Sequence, residues 1–110
     1  MKALLIIDVQ NDFLSGGALA IKESDLAIPY INKLVGYPFA VVVASKDWHP
    51  QDHGSFAKIH RKEPGEHIIL DGLDQILWPV HAVQGSFGAE FSKLLDVSKV
   101  EKVFYKGTYF

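Results

Sequence analysis

The chain has no cysteine, which removes disulfides, thiolate metal ligands and a cysteine nucleophile from these 110 residues. Charge of one sign is also lacking. Lys and Arg number 11 against 13 Asp and Glu, with no block of like charges, so nothing offers an electrostatic hold on nucleic acid or an anionic membrane. Long hydrophobic runs are missing too. The N-terminal stretch ALLII meets Asp8 after five residues, too short for a secretory core and far too short for a membrane span, which predicts a cytoplasmic protein. There is no internal repeat and no low-complexity tract. The expected partner is therefore a small molecule, neither nucleic acid nor membrane.

What is present is a 48% apolar composition, enough for the core of one ordinary domain. Residues 2–7 and the valine-rich 39–44 are continuous apolar runs, as strands buried on both faces of a parallel sheet require. A third run, VEKVFY at 100–105, reads the same way. Between the first two, Leu26, Tyr30, Ile31, Leu34 and Val35 recur near helical spacing; Ser24 or Asp25 can cap the start, and Gly36 with Pro38 can stop it. Pro29 confines the helix start to about Ser24 or later. GAEFSKLLDV at 88–97 reads as a second, short helix carrying Phe91, Leu94 and Leu95 on one side, and residues 51–79 read as one long loop. Strand, helix, strand, loop, helix, strand predicts a doubly wound, Rossmann-like α/β sheet, whose ligands bind beyond the carboxyl ends of the strands.

Each predicted strand ends in charge: Asp8 after the first, Lys46, Asp47 and His49 after the second, Lys106 after the third. Taken singly, Asp8 could be a cap or loop residue, and Lys106 a surface lysine. In a parallel sheet, however, all three ends share one edge, so these groups can converge. Asp47 and His49, two apart in an extended segment, face the same way. His53 follows in the same stretch DWHPQDHGSF, and WPVH at 78–81 offers His81. One carboxylate with two or three imidazoles suits zinc, iron or manganese. His60 and His67, set around RKEPGE, read as exposed loop residues.

IIDVQNDFLSGGALAI, KDWHPQDHGSFA, LWPVHAVQGSFGAEF and YKGT, in that order across nearly the whole chain, resemble the nicotinamidases of the isochorismatase-like hydrolase superfamily. The resemblance implies a parallel sheet of about six strands flanked by helices. It also implies hydrolysis of nicotinamide to nicotinate and ammonia in NAD salvage, with pyrazinamide as a surrogate. It makes Asp8 the general base and Lys106 its charged neighbour. Asp47, His49 and His81 become ligands of a divalent metal, with His53 a further ligand that only some members use. Phe13 and Trp78 become walls around the substrate ring. Members of the family attack the amide carbon with a cysteine thiolate from a later helix start. The resemblance thus makes residues 1–110 the N-terminal portion of one domain, whose partner is the C-terminal portion carrying the nucleophile. Ala82 stands where many relatives have a non-catalytic cysteine. Of the hydroxyls near the motifs, Ser45, Ser55, Ser86, Ser92 and Thr108, none lies in a G-x-S-x-G turn. Two other readings need no cysteine: a metallohydrolase in which Asp8 deprotonates a metal-bound water, and a metal-binding module without catalysis. An isochorismatase-type hydrolase remains a further alternative, and self-association is left open.

Overall fold

The computed structural model describes residues 1–109. Its sheet has three parallel strands, β1 (Ala3–Ile7), β2 (Val41–Asp47) and β5 (Lys102–Lys106), with a separate antiparallel hairpin of β3 (His67–Leu70) and β4 (Leu73–Ile76) inserted before the last. The order is β1-β2-β5, so the valine-rich strand is central. The register pairs Ile7 with Ser45 and Asp47 with Lys106, which brings the three carboxyl ends to one edge as the sequence predicts. Among the described residues no helix is long and apolar enough to cross a membrane.

One helix, α1 (Ala27–Val35), links β1 to β2. Its core-facing stripe is Ile28 and Val35, both buried, with Ile31 partly buried between them; Leu26, Tyr30 and Leu34, expected on that stripe, are exposed. Neither Ser24 nor Asp25 caps it. Ser24 and Asp25 sit in a 3₁₀ turn, Ser24–Leu26, where the Ser24 hydroxyl donates to the Phe13 carbonyl (2.8 Å) and Asp25 accepts from the Ser15 amide (2.8 Å). These side chains bind the incoming loop instead of the helix. Gly36 ends α1 as expected.

The helix expected at 88–97 does not form. The backbone there is engaged elsewhere: Gln10 and Phe91 form an antiparallel bridge, Asn11 N–H donates to the Glu90 carbonyl (2.9 Å), and Ser92 N–H donates to that of Val9 (3.1 Å). Groups used in this pairing cannot also serve a helix, and only the 3₁₀ turn Phe87–Ala89 remains. The expected long loop at 51–79 is likewise partly ordered, by a 3₁₀ turn Ala57–His60 and by the hairpin. Asp71 and Gly72, both at positive φ, form its two-residue connection, the arrangement that Asp-Gly favours.

The core lies on one side of the sheet, where Ile6, Val42 and Ala44 meet Val35 of α1 and Leu95. The opposite side is bare: Leu5 and Ile7 are 60% and 62% exposed and Phe104 50% exposed. Burial on both faces, expected from the apolar runs, is thus met on one face within this chain. Full burial of each such side chain is worth about 1.5–3 kcal/mol, and both outer strands also present unpaired edges. We therefore expect the polypeptide 1–110, produced alone, to associate or to be only partly folded. Light scattering after size exclusion checks this; a monomer with a cooperative melt would contradict it.

Candidate active site

The chain leaves the sheet at Asp8, which adopts a left-handed conformation (φ 59°) just after its N–H makes the last ladder bond to the Ser45 carbonyl (3.1 Å). A strained residue at a strand end is characteristic of functional sites. The turn aims the carboxylate along the sheet edge. There the Ser45 hydroxyl donates to Oδ1 (3.0 Å) and the Lys106 ammonium donates to Oδ2 (2.8 Å). The same ammonium donates to Asp47 Oδ1 at 2.5 Å. Lys106 bridges two carboxylates that would otherwise repel. Burial works to lower the lysine's pKa, but its bonds to Asp47 and Asp8 outweigh that and leave it raised. For Asp47, the polar contact with His49 acts first and Lys106 adds to it; together they overcome burial and hold the carboxyl at about 2.

Beyond Asp47 the chain runs beside the loop carrying His81. His49 N–H donates to the Ala82 carbonyl and Gln84 N–H to that of His49, both at 2.9 Å, a short parallel pairing that brings the DWHP and WPVH segments together. His49 Nδ1 lies 2.7 Å from the Gly107 carbonyl and His81 Nδ1 2.7 Å from that of Pro79. A carbonyl only accepts, so each ring carries its proton on Nδ1 and is left with an Nε2 lone pair. Ligand atoms of Asp47, His49 and His81 all lie within 4.8 Å of one another. Backbone-oriented imidazoles plus a carboxylate are the donor set of a divalent cation, and this set fits one. Burial pushes His81 down despite its Pro79 bond. At His49 burial also opposes charge, but Asp47, 3.7 Å away, and the Gly107 carbonyl prevail and raise it. In the metal-free protein a proton thus competes for the place a cation would take.

Phe56, fully buried, packs under the histidines, its ring 5.6 Å from His49, 5.6 Å from His53 and 5.4 Å from His81. Phe13 meets the His81 ring edge-on at 5.7 Å, and Trp78, 37% exposed, pairs through its backbone with Ser55 and Ala57. His53 packs 4.3 Å from His49 but stands outside the set of mutually close ligand atoms. His60 and His67 lie apart from it. His60, expected as an exposed loop residue, is half-buried in a 3₁₀ turn and bonded through Nε2 to the Gly54 carbonyl (2.8 Å); His67 is exposed as expected but belongs to β3, where it pairs with Asp74.

No protein-family model matches the chain. Individual proteins do. The nicotinamidase of Escherichia coli is 47% identical over 109 residues, covering 96% of this chain and 51% of that protein. The solved nicotinamidase/pyrazinamidase of Acinetobacter baumanii superposes with a TM-score of 0.93 at 45% identity, over 98% of this chain and 52% of that one. Over nearly its whole length the chain is thus similar to nicotinamidases. A pyrazinamidase of Pyrococcus horikoshii, solved in complex with zinc, matches with a TM-score of 0.68 at 35% identity, over 97% of this chain and 52% of that one. The chain spans about half the length of the relatives it matches. Its three parallel strands and α1 accordingly belong to the isochorismatase-like fold, a parallel sheet flanked by helices as the sequence predicts, with three of the expected six or so strands present among the described residues.

Within this nicotinamidase fold, several residues unread from sequence build the site. Gln10 is fully buried, and its side-chain amide brackets Asp47: Oε1 accepts from the Asp47 N–H (2.9 Å), while Nε2 donates to the Asp47 carbonyl (2.8 Å) and to that of Ala89 (2.9 Å). β1 has already turned away at Asp8, so the side chain replaces the peptide group that would have flanked β2 there. Asp12 does the same for the other arm. Its carboxylate accepts from the N–H of Ala82 (2.8 Å), next to His81 and itself at φ 49°. No local pattern signals either role, because the partners are distant in sequence and set by register.

Gly107 faces the His49 ring so closely that an added Cβ would sit 2.5 Å from Cε1, at a φ of 64° that disfavours side chains. Gly107→Ala should therefore displace His49, weaken metal binding at least tenfold and lower stability by about 1–3 kcal/mol. Metal titration and thermal melting would check this, and wild-type affinity in the variant would contradict it. Gln10→Leu strands three backbone groups, the buried Ala89 carbonyl at about 1–3 kcal/mol and the part-buried N–H and carbonyl of Asp47 at less. The expected result is a large fall in the denaturation midpoint, read by urea unfolding, against little change for Gln84→Leu on the exposed rim.

Proposed function

We propose that this chain supplies the base, the lysine and the metal arm of a nicotinamidase, hydrolysing nicotinamide to nicotinate and ammonia and accepting pyrazinamide. The observation that supports this most is the donor set itself: two imidazoles with their Nδ1–H groups committed to carbonyls, beside a carboxylate that shares an ammonium with Asp8. Asp47, His49 and His81 would hold a divalent cation, zinc by analogy with the Pyrococcus relative, with iron or manganese as other suitable ions. When bound, the ion supplies a Lewis acid that orients the pyridine ring. Phe13 and Trp78 flank the ring.

The chemistry then needs a nucleophile. A thiol supplied by polypeptide beyond these residues would lose its proton to Asp8 and attack the amide carbon. Asp8 would return the proton to the leaving nitrogen, and water would release nicotinate from the thioester by the same base. Lys106 keeps Asp8 aligned and is placed to stabilise developing negative charge. Such a step in NAD salvage belongs in the cytoplasm. The cysteine-free composition favours a second reading, direct attack by water that Asp8 deprotonates. Alkylation separates the two, since only the first is inactivated by a thiol reagent.

The test is made on the protein as it occurs in its host. Asp8→Asn should lower kcat by at least a thousandfold with KM nearly unchanged, and His81→Ala should abolish stoichiometric binding of the divalent ion. Ammonia release and metal analysis report the two. Full turnover by Asp8→Asn would sink the base assignment.

A further inference from the structure

The three histidines of the cleft do not share one tautomer. His49 and His81 present Nδ1 to carbonyls and so carry the proton there. His53 is the reverse. Its Nδ1 lies 3.2 Å from the backbone nitrogen of Ser55 and 2.7 Å from the Ser55 hydroxyl. A backbone N–H can only donate, so this Nδ1 accepts and is unprotonated, and the neutral ring must carry its hydrogen on Nε2. A nitrogen bearing hydrogen has no lone pair for a metal. Making Nε2 a ligand would require either an imidazolate or a tautomer that abandons the Ser55 N–H, a group on a buried residue.

Position agrees with protonation. The mutually close ligand atoms come from Asp47, His49 and His81, without His53. Yet His53 is no bystander, since its ring packs 4.3 Å from His49, tilted by 41°, and 5.6 Å from Phe56. Its position is built: the Pro50 carbonyl accepts the His53 N–H, and the Ser55 amide clasps the ring two residues on.

We infer that His53 is not a metal ligand but a hydrogen-bond donor, whose Nε2–H serves an oxygen atom lodged beside the cation site, from water or from the substrate's carboxamide. This rests on the reading of Asp47, His49 and His81 as the ligand set. It makes the three histidines two kinds of tool: two lone pairs for a cation and one N–H for what sits next to it.

Cobalt(II) titration of the natively expressed protein, after stripping with a chelator, tests the idea and keeps it separate from the reading beneath it. If the wild type takes up no cobalt, the ligand set itself is wrong and the donor role falls with it. If it takes up one equivalent, His53→Ala should bind cobalt within about threefold of wild-type affinity and with the same visible absorption band, while kcat for nicotinamide falls at least tenfold. His53→Gln, whose amide N–H lies near the place of Nε2–H, should recover most of that kcat. It also serves where the alanine variant folds poorly. A tenfold or greater loss of cobalt affinity in both variants, a band altered in intensity as a changed coordination number would make it, or an undiminished kcat in His53→Ala would each overturn the inference.

Discussion

The ammonium of Lys106 is the group on which the cleft depends. Asp8 and Asp47 end adjacent strands of a parallel sheet, so the ladder that aligns β1 with β2 also forces their carboxylates toward one another. Two like charges at that separation would drive one to protonate or the chain ends to splay. β5 resolves the conflict because its register sets Lys106 opposite Asp47, and the side chain reaches both acids. The lysine is about half exposed, so its worth to stability is modest. Its worth to the site is geometric: it fixes Asp8 Oδ2 while Ser45 fixes Oδ1, leaving the Asp8 carboxylate no freedom to turn toward Asp47.

From that fixed point outward, the backbone does most of the positioning. Gly107, the residue after Lys106, gives its carbonyl to His49, so the lysine and the imidazole are set by consecutive residues of one turn. The His81 arm is tied to the same turn at one remove, through the Ala82 carbonyl that accepts from His49. Asp12 holds Ala82 from the other side. The positive φ values at Asp8, Ala82 and Gly107 mark where the chain is bent to make these bonds. Such strain persists only when surrounding contacts over-determine it, and Gln10, with every amide hydrogen and its oxygen engaged, supplies part of that determination.

What could be read in the sequence was whatever depends on side-chain type and on period. Apolar runs placed the three parallel strands within about three residues, because a buried strand tolerates little else. Asp8, Asp47 and Lys106 were legible as a converging group because parallel register follows from the fold class. The residues 88–97 misled, since the apolar spacing of Phe91, Leu94 and Leu95 is helical while the backbone of Glu90 and Ser92 pairs with Val9 and Asn11, a tertiary demand that no local pattern records. The hairpin was missed for the opposite reason. Its Asp71-Gly72 turn is a strong local signal, but HIIL and LDQI do not alternate. Gln10 and Gly107 were illegible because their roles lie in what they offer the backbone of distant residues, and that depends on register.

The bare side of the sheet connects stability to chemistry. A groove of about 300 Å³ runs over Leu5, Ile7, Val43 and Phe104 to Ser45 and Lys106, so the apolar face ends at the charged cleft with no boundary between them. Material that buried Leu5, Ile7 and Phe104 would gain hydrophobic free energy and, by the same contact, strip water from the Asp8–Lys106 pair. In a drier cleft the attraction between that ammonium and carboxylate strengthens several-fold, which holds the Asp8 carboxylate more firmly in place. Folding and the electrostatics of the cleft therefore draw on one surface. A substitution such as Phe104→Ser, which touches neither carboxylate of the Lys106 bridge in the hydrogen-bond network, would act on both through the water it admits.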